Sequence, residues 1–555
     1  MTGDLSLVEN DDLRRLLSYG PSYREALPVN WDDVLSEVLT DLDPMISRWA
    51  DTAQTALWSE WKEGVIQKVK DRISKLKKRK VKDPLPGLSN PEIRRSLRKL
   101  HDDYVLTPAD KAANNVIIVC KQYYLSLIVK ELMQNKDATF EYVAAANPKE
   151  TVNALKNRIR DLFEIETLEA FENLASIYWS GKMHKNPFSQ RFISASNRCV
   201  LKGLSAQLTR ILKALIRPIK GLCTQFKNKT RVSPWWVIDN SSTVLSDIKR
   251  LNQRRLAQSV HSFDFKNLYT KLPHGSIKQE LEWVVDQAFA FSKKKNYPFL
   301  KVTPNSVAFR KTNKTGKGKV LSKERLKTMI SFLIDNLFLG VGEKVFRQCI
   351  GIPMGTDCAP FIANLYLFAY EYKYLNNLYN TKQHKKLQQF KHCYRYIDDL
   401  LSINNTMIND ISQIYPKELT LERTNKNDYQ TDFLDLNIKI NDKNFYISIY
   451  DKTDDFNFTV VKYPHLSGNI HFKRSHGLIS SLLLRTTVCS HFTQFQKRAQ
   501  LITRRLIKRG FCKQLLKKQI QKFFMTHNYA VKKYRTDILT FVSSCFDTTG
   551  DVDNL

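Results

Sequence analysis

The chain has 555 residues, 42% hydrophobic and 26% charged, with 18 Gly and 18 Pro. That composition is globular and long enough for several domains, and it excludes a collagen, a coiled coil and a mostly disordered chain. Lysine and arginine total 88 against 55 acidic residues, a formal net charge of +33, which points to a polyanionic partner, nucleic acid first, while leaving open a self-repelling basic protein or one drawn to acidic lipid.

In chain order, the first thirteen residues, MTGDLSLVENDDL, are acidic and polar, where a secretory signal is basic and then apolar. Residues 1–83 read as amphipathic helix with a turn at Gly20 and Pro21, ending in the basic run Lys75 to Lys82 (KLKKRKVK). That run resembles a nuclear import signal, and as such predicts an import receptor as partner and a nuclear protein; a solvated helix face or a phosphate-binding patch fits it equally well. A linker follows over residues 84–94, marked by DPLPGLSNP (Asp83 to Pro91). From there short strands and helices alternate. NNVIIVC (Asn114 to Cys120) reads as a buried strand, Thr151 to Leu174 as a helix, and KTNKTGKGK (Lys311 to Lys319) as a surface loop. Ser475 to Phe524 returns to helical spacing with dense cations. No apolar run reaches membrane-spanning length; the nearest, Ile330 to Val341, is interrupted by Asp335 and Asn336. The nine cysteines show no zinc or disulfide spacing and fit a reducing compartment. The expectation is an α+β protein, intracellular, with no membrane partner.

Five Asp-Asp pairs occur, and only Asp398-Asp399 has an informative setting. In HCYRYIDDLLSIN, β-prone residues flank a short polar tip, the pattern of a hairpin that lifts two carboxylates onto a sheet surface. Far upstream, SVHSFDFKNLYTKLP delivers Asp264 at the end of a strand. Three carboxylates converging there repel one another unless cations neutralise them, and oxygen-only ligands select Mg2+, with Mn2+ as a possible substitute. Two such ions would activate an attacking hydroxyl and steady a leaving pyrophosphate, the requirements of nucleotidyl transfer. Between the two segments lies GIPMGTDCAPFIANLYLFAYE. Its Gly355 would let backbone approach a base or sugar, and the helix from Ala359 would pack under the sheet.

The ordered set FDFKNLYTKLP, GIPMGTDCAP and YIDDLL resembles the palm of reverse transcriptases, and in detail the Penelope-like retroelements, relatives of telomerase. YWSGKMHKNPFSQRFISA is similar to that family's fingers motifs, TPADKAANNVIIV to its upstream segment, and FLDLNI, IYDKTDDFNF and RTTVCSHF to its palm end, primer-gripping region and thumb. The resemblance runs from about Arg95 to Phe524. It implies a right-hand polymerase with an antiparallel-sheet palm: fingers and the N-terminal region of the polymerase over 95–255, palm over 256–450, primer grip and helical thumb over 451–535, and a tail over 536–555, behind the helical N-terminal extension.

Carried onto this sequence, the resemblance implies Asp264, Asp398 and Asp399 as catalytic metal ligands with the Phe265 carbonyl as an additional one. It implies Tyr269 as a steric gate against ribose 2′-hydroxyls and Lys182 and Arg191 as cations for the incoming dNTP. Met354 and Gly355 would lie beside that nucleotide, and Lys426, from its location after the Asp398-Asp399 hairpin, is read as a proton donor to pyrophosphate. Singly, Tyr269 also reads as a core aromatic and the two cations as surface residues. Met354 stands where retroviral enzymes carry Gln, and Phe192 where the family's fingers motif has Pro. Nothing after Phe524 resembles the GIY-YIG nuclease that many Penelope-like proteins carry, so an endonuclease-lacking form is expected. Arg504, Arg505, Lys508, Arg509, Lys513, Lys517 and Lys518, with Phe511, Phe523 and Phe524 interleaved, are expected to hold an RNA–DNA hybrid by its backbone. The function expected is RNA-directed DNA polymerisation, with RNA template, DNA primer and dNTPs as partners. A domesticated or inactive nucleic-acid-binding protein and a host enzyme with a telomerase-like task are the alternatives.

Overall fold

A computed structural model describes residues 7–26, 30–50, 55–77, 87–134, 139–165, 171–183, 185, 187–313, 318–425 and 427–546. The chain divides into two compact units, one of Met1–Ile118, Phe458–Arg485 and Ala499–Asn554, the other of Val119–Asn457 and Thr486–Arg498. The expected N-terminal extension and most of the expected thumb therefore share one unit.

That first unit begins with α1 (Asp11–Tyr19), α2 (Trp31–Ala50), α3 (Thr55–Lys77), α4 (Pro91–Asp103), β1 (Tyr104–Ala109) and most of β2 (Ala112–Cys120), whose last two residues belong to the second. Asn10 opens α1 by accepting the Leu13 N–H on its side chain, at 2.8 Å, which satisfies one of the donors a helix start leaves bare. Leu13 packs with Val8, Ile93, Leu100 and Ile118 in a small core. The basic run begins at the end of α3; residues 78–86, its remainder and the start of the expected linker, lie outside the described residues.

The second unit follows with α5 (Lys121–Met133), β3 (Phe140–Tyr142), α6 (Pro148–Phe163), β4 (Ser176–Lys182), β5 (Ser189–Ala195), α7 (Lys202–Thr230) and α8 (Ser242–Gln253). The helix expected to reach Leu174 stops at Phe163, where Glu164 turns to a left-handed φ of 56°. Next come β6 (Val260–Phe265), α9 (Leu268–Lys271), α10 (His274–Lys294), β7 (Phe299–Val302), β8 (Val307–Arg310), β9 (Lys319–Leu321), α11 (Lys323–Asp335), β10 (Phe338–Val341) and β11 (Lys344–Gln348). Of the expected loop at 311–319, residues 314–317 lie outside the described residues, and Lys319 already belongs to a strand. The unit continues through α12 (Ala359–Asn380), α13 (His384–Gln388), β12 (Cys393–Tyr396), β13 (Asp399–Ile403), β14 (Leu421–Arg423), β15 (Gln430–Phe433), β16 (Leu436–Asn441) and β17 (Asn444–Ile449).

At its centre is a four-stranded antiparallel sheet of order β12-β13-β6-β14. Side chains alternate between the faces of such a sheet. On one face Val260, Leu401, Ile403 and Tyr394 are buried against α8 and the β15-β16-β17 sheet. On the other, Arg395 hydrogen-bonds to α12. α12 buries Leu365, Leu367 and Phe368 completely or nearly so, each worth roughly 1.5–3 kcal/mol of transfer free energy.

The first unit resumes with α14 (Phe472–Ser475), α15 (Leu478–Thr486), α16 (Phe492–Lys508), α17 (Lys513–Thr526), α18 (Asn528–Tyr534) and α19 (Ile538–Ser544), α15 and α16 each running across a unit boundary. Phe511, Phe523 and Phe524 are core residues, at most 3% exposed, and do not offer stacking faces. Arg509 also departs from its expected role. Its guanidinium donates to the carbonyls of Tyr463 (2.9 Å) and Tyr19 (3.2 Å) and lies 5.4 Å from the centre of the Tyr19 ring, which stacks on His465. Arg509 thus ties α1 to the segment before α14. Among the described residues no helix is long and apolar enough to cross a membrane.

Candidate active site

The register of the central sheet places Tyr396, Asp399, Asp264 and Glu422 opposite one another across four strands. Directly paired residues share a face, so three carboxylates stand in a row where the cover of α8 and β15-β16-β17 ends. Asp398 joins them from the two-residue turn between β12 and β13. One oxygen from each of Asp264, Asp398 and Asp399 lies within 4.8 Å of the others. Like charges opposed across strands destabilise a sheet, and an all-oxygen donor set at this spacing fits a hard divalent cation. Phe265 closes β6, and its N–H donates to the Asp398 carbonyl at 3.2 Å, so the turn is hydrogen-bonded to the strand that carries Asp264. Glu422 extends the row and is paired with Lys266 at 3.2 Å.

The turn itself is held from beneath. Ile397 has a φ of 57°, a left-handed conformation that a β-branched residue rarely adopts. The Arg395 guanidinium, fully buried, donates to the Ile397 carbonyl at 3.1 Å, to the Asn364 side chain at 2.8 Å and to the Glu371 carboxylate at 2.5 Å and 3.3 Å. The Tyr415 hydroxyl also donates to Glu371, at 2.9 Å, and burial raises that phenol's pKa, with the Glu371 charge adding to it. Sequence reasoning passed over Arg395, Glu371, Asn364 and Tyr415. The available signal was a lone Arg inside a β-prone run and a lone Glu inside an apolar helix, since such charges are rarely buried unless paired.

The segment after β6 is stitched to GIPMG. Gly351 donates its N–H to the Leu272 carbonyl (2.8 Å), Ile352 donates to the Tyr269 carbonyl (2.7 Å), and His274 bonds the Gly351 carbonyl (2.8 Å). Gly351 has a φ of 83°, and a Cβ there would come within 2.4 Å of the Tyr269 carbonyl oxygen. Gly351→Ala is therefore expected to cost roughly 1–3 kcal/mol in denaturant melts. Unchanged stability would show that the turn relaxes. Tyr269 itself is half-buried on α9; burial, and then the Asp398 charge, pushes its phenol up to about 12. Met354 is half-buried. Gly355 was expected to face a base or sugar. Here a Cβ would lie 2.3 Å from the Ser194 carbonyl oxygen and 3.1 Å from the Ser196 nitrogen, so the missing side chain makes room for the end of β5 and the residue that follows it.

Lys182 and Arg191 sit on the β4-β5 hairpin, with Ser180 opposite Arg191 and Lys182 opposite Ser189. The two cations therefore share a face as diagonal neighbours. Trp179, paired with Phe192 on the other face, is fully buried, donates its indole N–H to the Tyr124 carbonyl at 3.1 Å and stacks on the Tyr124 ring. Phe192 thus completes a regular strand pair where the family pattern has Pro.

The other expected contacts lie in the first unit. Arg504 and Arg505 are half-buried on α16, while Lys508 at its end and Lys517, Lys518 and Lys513 on α17 are exposed. Lys513 and Lys517 approach the Phe546 ring at 5.7 Å and 5.4 Å. Lys426 lies outside the described residues.

No protein-family model matches the sequence, and no curated protein matches it. Solved structures do resemble the fold. Telomerase from Candida albicans, solved with a TWJ fragment of telomeric RNA, aligns over 83% of this chain and 75% of its own at 12% identity and a TM-score of 0.51. Apo telomerase from Candida tropicalis aligns over 96% and 84% at 12% identity with a TM-score of 0.42. An RNA polymerase complex inside a dsRNA virus aligns over 71% of this chain and 32% of its own, at 12% identity and a TM-score of 0.31. The first of these shows that the chain shares the fold of that telomerase.

Proposed function

We propose that the chain is an RNA-directed DNA polymerase of a Penelope-like retroelement, with β4 and β5 in its fingers and the central sheet as its palm. The observation that carries this reading is the register that sets Asp264 opposite Asp399 with Asp398 in reach of both. Asp264, Asp398 and Asp399 would hold two Mg2+ ions. When bound, such ions lower the pKa of a primer 3′-hydroxyl and neutralise a leaving pyrophosphate.

The chain's own residues do the rest. Arg395 and the Phe265 N–H fix the carbonyls on either side of the Asp398 Cα, so the carboxylate is aimed before substrate arrives. Lys182 and Arg191 offer a point charge and a planar fork from one face of a hairpin, a pairing suited to a triphosphate. Tyr269 is fixed by its carbonyl to GIPMG, and its ring would exclude a ribose 2′-hydroxyl. Tyr269→Ala is expected to raise ribonucleotide incorporation at least about tenfold, a loss of roughly 1.4 kcal/mol of discrimination, measured as the ratio of kcat/KM for UTP and dTTP. An unchanged ratio would place the gate elsewhere.

The deciding assay is the purified chain with oligo(dT) on poly(A) and labelled dTTP, with and without Mg2+. Mg2+-dependent incorporation supports the reading. Binding of the hybrid without incorporation would favour a protein that kept the fold and not the activity.

A further inference from the structure

The second unit carries another concentration of charge, in a groove of about 830 Å3 that none of the three catalytic carboxylates lines. Its walls are the end of α7, the chain between α7 and α8, α8 itself and the residues leading into β12. The chain between the helices is well anchored. Arg395 donates its N–H to the Trp236 carbonyl at 2.7 Å and Ile238 donates to the Arg395 carbonyl at 2.9 Å, so the groove's inner wall is hydrogen-bonded to the edge strand of the catalytic sheet.

Six cations line the groove, Lys220, Lys227, Arg231, Arg250, Arg254 and Lys391, against two carboxylates, Asp239 and Asp247. Asp247 is already engaged by Arg250 and by the Tyr394 hydroxyl. Lys227, Arg231, Arg254 and Lys391 are exposed and have no acidic partner among the described residues. The C-terminal dipole of α7 accounts for a cation such as Lys227. It does not account for Lys391, which arrives on another element and faces the same hollow, whereas Arg254 is the C-cap of α8 and is favoured by that helix's own dipole. Cations of one sign gathered in a concave site focus the field and favour an anion with several charges. Trp235, partly exposed, adds an aromatic face with Lys220 5.4 Å from its ring centre. Burial, then Lys391 and Arg250, lowers the pKa of His392 to about 4, so this wall residue is neutral near pH 7 and can accept as well as donate a hydrogen bond.

We propose that this groove binds single-stranded RNA, the unpaired part of the template, through cation contacts to successive phosphates and stacking of a base on Trp235. Interleaved cations and an accessible aromatic are what sequence-tolerant single-strand binding uses, and unpaired bases are required for the stacking. The inference rests on the polymerase reading for the identity of the strand.

The test uses the full chain and two primed RNA templates with the same duplex, one with a short and one with a long single-stranded template overhang, their affinities compared by fluorescence anisotropy without dNTPs. The wild type is expected to bind the long overhang about tenfold tighter. Lys227→Glu/Arg254→Glu/Lys391→Glu should abolish that preference, and the corresponding triple Ala variant should make the salt dependence shallower by roughly 0.7 for each phosphate no longer neutralised. Trp235→Ala should weaken the long overhang alone. Extension of the short-overhang template should stay unchanged in all variants, and thermal melts should match the wild type. A wild type indifferent to overhang length, or triple variants that keep the preference, would overturn the groove. Poly-Glu competing as well as RNA of equal charge would overturn the RNA assignment. Absence of extension by the wild type would count against the polymerase reading and leave the binding comparison intact.

Discussion

Asp399→Asn or Asp264→Asn is expected to lower primer extension at least about a thousandfold, the scale on which loss of transition-state charge stabilisation acts, while affinity for primed template changes little. The substitution keeps shape and removes charge from a row in which carboxylates already face one another across strands. Because opposed like charges cost stability, the melting temperature in Mg2+-free buffer is expected not to fall. Added Mg2+ should raise the melting temperature of the wild type and not of the variants, since a ligand that binds only the folded state stabilises it by mass action. Loss of stability together with activity would make these carboxylates structural. Retained activity would remove the metal site altogether. Glu422→Gln, in the same row but outside the triplet, serves as the control and should leave most activity in place.

The second large effect is expected beneath the turn. Arg395→Leu or Glu371→Leu leaves one charge buried without its partner, which costs about 3–5 kcal/mol, read as a shift of the denaturation midpoint. The double variant Arg395→Met/Glu371→Leu removes both charges and should recover most of that stability, because a buried pair replaced by apolar groups of similar volume is often neutral or better. Activity should not return with it. The Ile397 carbonyl then has no guanidinium to hold it, and Asp398 rides on that peptide. A double variant that regained extension in full would reduce the pair to packing. The cycle separates the fold from the aim of the carboxylate, which a single substitution cannot do.

The carboxylates were legible because each sits in a segment whose periodicity and turn chemistry identify a strand end, and because the two such segments flank a glycine-rich turn in a recognisable order. Their support was not. Arg395 and Glu371 reveal their partnership only once a strand and a helix face each other, and no local pattern encodes that pairing. Arg509 shows the reverse error: a cation-rich helix reads as a phosphate surface until Tyr19 and the Tyr463 carbonyl are seen to occupy its guanidinium. The early stop of α6 was hidden because Glu164 takes a left-handed cap that glycine would have announced. Gly355 was read as open toward ligand, since a sequence shows that a side chain is missing but not which neighbour fills the gap.

The backbone at Ile397 has a bearing on engineering. A glycine there would adopt the same dihedral with less steric cost, so the folded sheet has an evident route to a calmer hairpin. Ile397→Gly would, however, also widen the range of orientations open to the peptide that carries Asp398. A more heat-resistant protein obtained this way should copy more slowly, and selection for thermal tolerance alone would drift toward a sturdier but less well-aimed catalyst.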